Sequence, residues 1–374
     1  MNTIITIGIS IIGLFILFIL LKKGKNISDF FLILINLILV GILCSDIAIR
    51  QEFTLLNFFF QNTLPFWLTP VFLTYGLLLI DKTHQLKSNW WWVYSYALGF
   101  TIFILLDLTI LSSYSPALLM ERYKHPTLVY HLFYKMHFIF VIALSFWFLK
   151  QLKKHDLSIK TYYSFIEPIK LRWFKHFIIV ILIINALLLV VFLIYNFGFI
   201  ADVKTVYDVL NGSIVISFLF LSFNGIKQYS YVQFKDNLDA KNHPSQEKEK
   251  YNTSPLSESK LKIIFQSIDT LFKKEKIFLK PQLKIGEVAE QLNIPSHHLS
   301  QAINVQFGKT FFDYVNTFRV AELKEKLKEP ENKKFTIISL AYESGFNSKA
   351  SVNRIFKEQT GNTPSQYQKT HILN

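Results

Sequence analysis

Two short stretches near the C-terminus combine amide, hydroxyl, imidazole and cationic side chains at helical spacing, with no acidic residue among them. The first stretch holds His297, Ser300, Gln301 and Asn304, and the second holds Lys349, Ala350, Asn353, Arg354 and Lys357. Arginine suits the edge of guanine in the major groove of DNA, and glutamine or asparagine suits adenine. An ordinary solvated helix face would more often include Glu and Asp. The pattern favours two DNA-contacting faces over two ordinary surfaces.

The two stretches belong to an internal repeat. Residues 288–296 align with residues 340–348 at an offset of 52. After one extra residue in the second copy, the apolar positions continue to match, as Leu299 does with Val352. This periodicity predicts a helix, a tight turn and a second helix in each copy, with the apolar residues facing inward.

Turn residues support the same interpretation. Asn293 and Gly345 occupy equivalent positions between the two helices, and both residue types tolerate the positive φ that a tight turn requires. Ser296 and Ser348 follow at the start of each second helix, where a serine side chain can accept a hydrogen bond from the backbone. The sequence therefore predicts that these serines cap the second helices.

A longer signature extends over the second copy and the helix that joins the two copies. The signature positions are Ala341, Gly345, Phe346, Arg354, Phe356, Gly361, Pro364 and Tyr367, and the joining helix runs from Phe312 through Arg319 and Ala321 to Leu327. With these motifs, the stretch from about Lys260 to Lys369 resembles the DNA-binding domain of AraC/XylS-type transcriptional regulators. The resemblance implies two recognition helices that enter successive major grooves, about 34 Å apart, on one face of the duplex.

Motifs of catalysis are missing from the sequence. No two of the 13 glycines lie within three residues of each other, which excludes phosphate-binding glycine loops, and there is no HExxH or GxSxG motif. Cys44 is the only cysteine, so no disulfide or cysteine-based zinc site is expected within the chain. His297 and His298 are adjacent, and adjacent side chains on a helix are expected to diverge. The sequence predicts no enzyme, no cofactor and no metal site.

Charge and hydropathy change sharply along the chain. Residues 1–225 hold 27 charged side chains and residues 226–374 hold 39, although the first part is longer. A membrane-crossing helix needs about 20 mostly apolar residues, and the first part contains seven such segments. They are Thr3–Leu21, Ile27–Ile47, Phe58–Ile80, Trp90–Leu111, Leu128–Leu149, Phe177–Phe197 and Val206–Gly225. Because of Pro65 and Pro70, the sequence leaves open whether residues 53–64 cross the membrane or lie at its surface.

Loop charge predicts the orientation of these spans. Loops on one side carry 12 Lys and Arg, and loops on the other side carry 4. The more basic side is normally cytoplasmic, which places the N-terminus outside and the C-terminal part in the cytoplasm. The first segment has no basic residue before it, so it is interpreted as an uncleaved helix rather than a signal peptide. The basic segment 150–176 is expected to set topology and to contact anionic lipid.

Several ionisable residues lie within the predicted spans, and the candidate sensor residues among them are Asp46, Asp107, His131 and Lys135. Charged groups at this depth are costly, and they often mark functional sites. One hypothesis is a sensor site near the outer face, in which Asp107 and Lys135 lie at similar depth with His131 one turn from Lys135. The alternative is pairing between helices or contact with the membrane surface.

The predicted architecture is all-α: a polytopic membrane helix bundle of about seven spans, followed by a soluble tandem helix-turn-helix domain. The domains are 1–226 in the membrane, 227–258 as a flexible polar linker and 259–374 as the DNA-binding domain. The predicted function is a membrane-bound, sequence-specific transcriptional regulator in the bacterial cytoplasmic membrane. The alternatives are a transporter or membrane receptor with a C-terminal regulatory helical domain, and a sensor kinase, which the missing nucleotide-binding loops disfavour.

The predicted partners follow from that function. They are double-stranded promoter DNA, the lipid bilayer and a signal molecule of unknown identity. The hypothesis leaves open contacts with RNA polymerase and the formation of a homodimer.

Overall fold

The computed structural model describes residues 2–21, 26–51, 54–80, 91–112, 128–196, 204–227 and 256–372. The chain divides into two compact units. Unit 1 comprises Met1–Leu152 and Leu171–His243, and unit 2 comprises Lys153–Lys170 and Pro244–Asn374. Most of the predicted linker 227–258 lies outside the described residues.

Seven helices account for the described part of unit 1, and the fifth of them continues into unit 2. They are α1 (Asn2–Leu21), α2 (Ile27–Gln51), α3 (Leu55–Leu79), α4 (Trp91–Ser112), α5 (Leu128–Tyr162), α6 (Arg172–Asn196) and α7 (Lys204–Lys227). Each overlaps one of the seven apolar segments in the sequence. Among the residues that the structure describes, four stretches are long and apolar enough to cross a membrane: Ile27–Ile49, Val93–Ile110, Leu132–Tyr162 and Arg172–Ile194. The count of about seven spans stays a prediction.

Packing in unit 1 follows the apolar faces of these helices. α2 lies against α1, α3 and α7, while α4 packs on α3 and α6 packs on α7. Polar side chains buried between helices pair with each other, as Asn36 Oδ1 does with the Ser222 hydroxyl at 2.8 Å. Large apolar side chains such as Phe18, Leu106 and Ile183 face outward. An outer surface of this kind is unfavourable in water and suits lipid.

α3 is one continuous helix through both of its prolines. It begins at Leu55, where Thr54 is the N-cap and accepts a 3.2 Å hydrogen bond from the backbone of Asn57. Pro65 and Pro70 lie inside it, although proline removes a backbone donor from a helix. Residues 55–64 therefore continue directly into the second half of the helix.

Seven further α-helices lie in the described C-terminal residues of unit 2, 256–372. They are α8 (Glu258–Glu275), α9 (Ile285–Leu292), α10 (Ser296–Phe307), α11 (Phe311–Lys328), α12 (Ile337–Glu343), α13 (Lys349–Thr360) and α14 (Pro364–Ile372). The long helix α11 is central, since it contacts α10, α12, α13 and α14. Its first turn is fixed by a capping box, in which Thr310 and Asp313 exchange side-chain-to-backbone bonds. The all-α class is confirmed for the described residues.

Local turn chemistry confirms most of the predicted boundaries in unit 2. Asn293 has φ 53° and Gly345 has φ 87°, as the turns require. Ser348 is the N-cap of α13, and its hydroxyl accepts a 3.2 Å hydrogen bond from the backbone of Ser351. The predicted cap at Ser296 is wrong. The N-cap of α10 is Pro295, whose carbonyl already accepts the first bonds of the helix, so Ser296 lies inside the first turn.

Candidate nucleic-acid interface

The two helix pairs, α9–α10 and α12–α13, share the same turn geometry. The backbone of Ile294 donates a 2.9 Å hydrogen bond to Ala289 in the first pair, and the backbone of Phe346 donates a 3.1 Å bond to Ala341 in the second. These four residues are related by the offset of 52 in the sequence. Both alanines are buried, so the small side chain lets the second helix approach closely. The two copies of the sequence repeat therefore have the same backbone hydrogen bond in their turns.

α10 presents a narrower polar face than the sequence predicted. Leu299 and Ile303 are buried, whereas His297 and Asn304 are exposed and Gln301 is half-buried. Ser300 is only 8% exposed. Its placement on the exposed face is wrong, because it adjoins Leu299 on the side that packs inward.

α10 also exposes an apolar residue that the polar pattern did not identify. Val305 is 54% exposed, and it follows Asn304 directly. An apolar side chain at such a position can contact the methyl group of thymine. The signal available in the sequence was a valine one position outside the apolar periodicity of the helix.

α13 exposes most of its predicted polar face. Lys349, Ala350, Asn353 and Lys357 are exposed, and Arg354 is half-buried. The opposite face, which includes Val352, Ile355 and Phe356, is buried. Two lysines and one arginine on three turns of helix give this face a positive charge, suited to a polyanion.

The guanidinium of Arg354 lies among several groups of unit 2. Its Nη1 atom lies 3.2 Å from Oε2 of Glu358, one turn further along α13. Its Nη2 atom lies 3.4 Å from Oε1 of Glu167, which belongs to the segment after α5. The same guanidinium is 6.0 Å from the ring centroid of Phe312. The sequence pattern did not predict the contact with Glu167, because the two residues are 187 positions apart.

Arg319 is buried at the centre of unit 2, with 1% of its surface exposed. Its Nε atom donates to the Phe278 carbonyl at 2.8 Å, and Nη2 donates to the Lys280 carbonyl at 2.7 Å. Burial lowers the pKa of Arg319 to about 9, so the side chain stays cationic at neutral pH. Because a buried charge is tolerated only when it is hydrogen-bonded, this arginine holds the 277–281 segment against α11.

His297 and His298 do not diverge as predicted, since their ring centroids are 4.0 Å apart. Burial, followed by the charges of His297 and Lys260, lowers the pKa of His298 below its usual range. A neutral imidazole can donate or accept a hydrogen bond. Across the part of the chain that the structure describes, no group of three or more His, Cys, Asp or Glu is arranged to hold a metal ion.

The residues of the predicted sensor lie on three helices of unit 1. Asp46 is half-buried on α2. Asp107 on α4 accepts a 2.6 Å hydrogen bond from the hydroxyl of Tyr130 on α5. The Lys135 ammonium lies 5.5 Å from the ring centroid of Phe192 on α6. His131 belongs to α5, and its side chain lies outside the described part of the structure.

A family model described as a helix-turn-helix domain matches residues 288–370. An uncharacterized HTH-type transcriptional regulator of Staphylococcus aureus is 30% identical over 116 residues, which are 31% of this chain and 14% of that protein. The probable transcription factor PqrA of Proteus vulgaris is 30% identical over 91 residues, which are 24% of this chain and 72% of that protein.

A solved structure also aligns with this chain. It is that of a Listeria innocua protein of unknown function, with 29% sequence identity and a TM-score of 0.26, and the alignment covers 29% of this chain and 97% of that one.

Proposed function

Because this chain belongs to the AraC/XylS-type family of helix-turn-helix transcriptional regulators, we propose that it is a membrane-embedded regulator that converts a signal at the membrane into altered binding of promoter DNA. Two helix-turn-helix units would read the DNA. α10 and α13 are the recognition helices in this proposal, and the residues that face the bases or phosphates are His297, Gln301, Asn304, Val305, Lys349, Ala350, Asn353, Arg354 and Lys357.

The observation that carries the proposal is the pair of matched helix faces. Both second helices follow turns with the same hydrogen bond, and the predicted contact positions on both lack carboxylates. Gln301 and Asn304 offer the paired donor and acceptor that suit adenine, and Arg354 offers the two parallel donors that suit guanine. Lys349 and Lys357 add point charges that suit phosphates.

The membrane part of the proposal rests on helix length and charge. α5 has 35 residues, which at about 1.5 Å per residue gives about 52 Å. The apolar core of a bilayer is about 30 Å thick, so the helix is long enough to cross and to project beyond it. The excess of basic residues in the loops on one side favours a cytoplasmic C-terminal domain.

Signal conversion requires two states of the membrane bundle. A signal molecule shifts their populations only if it binds one state better than the other. Asp46, Asp107, His131 and Lys135 are the proposed site of that difference. RNA polymerase and a second copy of the chain are the protein partners that fit a promoter-bound regulator.

Selection of genomic DNA tests the proposal directly. The full-length protein is reconstituted in lipid nanodiscs and incubated with sheared DNA of its host, and the bound fragments are sequenced. The expected result is enrichment of promoter fragments that share two half-sites about one helical turn apart. The matched control is the double variant Gln301→Ala, Arg354→Ala, which keeps the lysines and should lose the shared motif. Fragments recovered in proportion to their abundance, without a motif, would contradict the proposal.

A further inference from the structure

A short segment between α5 and α6 is built into unit 2. This docking segment, residues 163–170, follows the end of α5 and contains a 3₁₀ turn at Glu167–Ile169. His155 lies on the last turns of α5. Its Nε2 atom is 3.3 Å from the Ile169 carbonyl, a contact that links α5 to the 3₁₀ turn. From its basic residues this region was expected to set topology and to contact lipid, and no pattern in the sequence predicted contacts with the helix-turn-helix residues.

The docking segment pairs with the backbone just before α9. Tyr163 and Lys284 form an antiparallel bridge. The Ser164 backbone N–H donates to the Leu283 carbonyl at 3.1 Å, and the Ser164 hydroxyl donates to the same carbonyl at 2.6 Å. Lys284 is the N-cap of α9, so the segment is attached where the first helix pair begins.

The docking segment also contacts the buried arginine of α11. Arg319 donates from Nη1 to the Ser164 carbonyl at 3.4 Å and from Nη2 to the Ser164 hydroxyl at 3.2 Å. The same guanidinium binds the carbonyls of the 277–281 segment. One buried cation therefore joins the docking segment to the scaffold that both helix pairs share.

At its other end, the segment places a carboxylate on a proposed recognition helix. Glu167 lies 3.4 Å from Arg354, and both side chains remain about 30% exposed. Lys160, on the last turn of α5, lies 5.8 Å from the Phe312 ring centroid, and Phe312 is also a neighbour of Arg354. In this arrangement Arg354 is shared between Glu167 and Glu358.

Contact with a DNA base and pairing with Glu167 require different orientations of the Arg354 guanidinium. A guanidinium that reads guanine must turn its parallel donors toward the base, and Glu167 accepts from one of those donors. A carboxylate on this surface also repels the phosphates that would approach the lysines of α13. The ion pair is partly exposed, and such pairs contribute little to stability, so it can break when the segment leaves.

We propose that the surface formed by Leu283, Phe312, Arg319 and Arg354 is a binding site for the docking segment of the same chain, and that its occupation by this segment competes with DNA. The inference rests on the proposed function, because it assigns regulation to the same recognition helix. Docking through Ser164 and Glu167 gives the low-affinity state for DNA, and release of the segment frees Arg354.

Continuity of α5 supplies the route for a signal. Residues 128–162 form one helix, and its last turns lead directly into the docking segment. Because Tyr163 and Ser164 follow α5 directly in the chain, a shift or rotation of α5 changes their position. The segment is thereby the point at which a change in the bundle reaches the DNA-binding surface.

A reversible disulfide tests this competition. Residues opposite each other in an antiparallel bridge have Cα atoms about 4.5–5.5 Å apart, which suits a disulfide. Tyr163→Cys and Lys284→Cys are introduced together with Cys44→Ser, which removes the only native cysteine. The helix cap at Lys284 is kept, because its backbone N–H donates to Glu287. The full-length protein in nanodiscs is compared in its oxidised and reduced forms.

The probe is a duplex of about 40 base pairs, selected from a random library by the reduced protein and long enough for two adjacent half-sites. The oxidised form should bind it about 5–150-fold more weakly than the reduced form, the range of typical coupling between sites. Tyr163→Cys alone, in the Cys44→Ser background, is the matched control and should bind equally in both conditions.

A second comparison uses charge alone. Glu167→Gln should strengthen binding of the same duplex, and the exposed Glu331→Gln, which makes the same change in net charge, should have a smaller effect. Equal gains from both variants would overturn the proposal.

The disulfide experiment separates the failure of this inference from failure of the proposed function. If the disulfide forms and the oxidised and reduced proteins bind DNA equally, the docking segment does not compete with DNA. The proposed function as a transcriptional regulator is then unaffected. If both thiols are reactive and no disulfide forms, the segment is not docked and the competition is again wrong. If neither form nor the wild-type chain selects any duplex, the proposed function fails and the inference fails with it.

Discussion

The Nε atom of Arg319 donates a 2.8 Å hydrogen bond to the carbonyl oxygen of Phe278, and the turn of the second helix pair is packed on this bond. A Cβ atom at Gly345 would lie 2.6 Å from the Phe278 oxygen and 3.0 Å from the Arg319 nitrogen. Gly345 also has φ 87°, which side chains disfavour. The turn between α12 and α13 is therefore fixed both by its own conformation and by the buried arginine.

The first prediction concerns this turn. Gly345→Ala should lower the local free energy of unfolding of residues 337–360 by about 2–4 kcal/mol, because it adds strain at positive φ and overpacks a backbone carbonyl. Gly361→Ala is the matched control, since Gly361 has φ 80° and open space at the Cβ position. It should cost only about 1 kcal/mol. Hydrogen exchange of the full-length protein, followed by mass spectrometry, measures the loss of local unfolding free energy in both variants. Equal losses would show that close packing at Gly345 does not add to the cost of its positive φ.

The second prediction concerns base recognition by Arg354 and Gln301. Replacing either by Ala should cost about 1–3 kcal/mol on the selected duplex and relax the preference at one base position. The reason is that each side chain can form two hydrogen bonds to one base edge. Fluorescence anisotropy on single-base variants of the duplex measures the effect. Unchanged affinity and preference in Arg354→Ala would show that α13 does not read bases through this residue.

The third prediction concerns Lys357, which is exposed on the last turns of α13. Lys357→Ala should weaken binding to all sequences alike, since a lysine at this place contacts a phosphate rather than a base. The slope of log affinity against log salt should fall by about 1. A loss confined to one base pair would instead assign this lysine to base recognition.

The fourth prediction concerns topology. An alkaline phosphatase reporter, which is active only outside the cytoplasm, should be inactive when fused after Lys227 and active when fused near Pro116, a residue outside the described part of the chain. The reason is the asymmetry of 12 to 4 basic residues between the two sets of loops. A reporter active in the cytoplasm only should give the inverse pattern. Phosphatase activity after Lys227 would contradict both the orientation and the DNA-binding function.

Local patterns predicted the helix pairs because turns and caps depend on a few adjacent residues. Asn293, Gly345 and Ser348 each occupy a position that only a few residue types fill well, so the sequence identified them. Ser300 and Ser296 were misassigned, because a serine fits a buried face, an exposed face and a cap. The Glu167–Arg354 contact joins residues far apart in sequence, and no periodicity connects them. Such contacts depend on tertiary packing, which a single sequence does not display.

The last prediction concerns the proposed sensor. Asp107 accepts a 2.6 Å hydrogen bond from Tyr130, so this pair joins α4 to α5, the helix that leads to the docking segment. Asp107→Asn and Tyr130→Phe should both change signal-dependent promoter output, because each weakens a charge-assisted bond between the two helices. Tyr134→Phe is the matched control: Tyr134 also lies on α5, and its hydroxyl bonds to the neutral Asn62 at 2.9 Å.

Promoter output is measured with a reporter gene at equal protein level, and DNA affinity is measured separately with the protein in detergent without signal. Asp107→Asn should alter the response to signal more than it alters the affinity for DNA, since the sensor acts on the balance between two states of the bundle. Lys135→Met, which removes the cation beside Phe192, should act in the same way. If all three variants respond as the wild type does, Asp107, Tyr130 and Lys135 only hold helices together. Tyr134→Phe leaves the hydrogen bond between Tyr130 and Asp107 intact. If it changes the response as much as Tyr130→Phe does, the response comes from general loosening of the helix bundle.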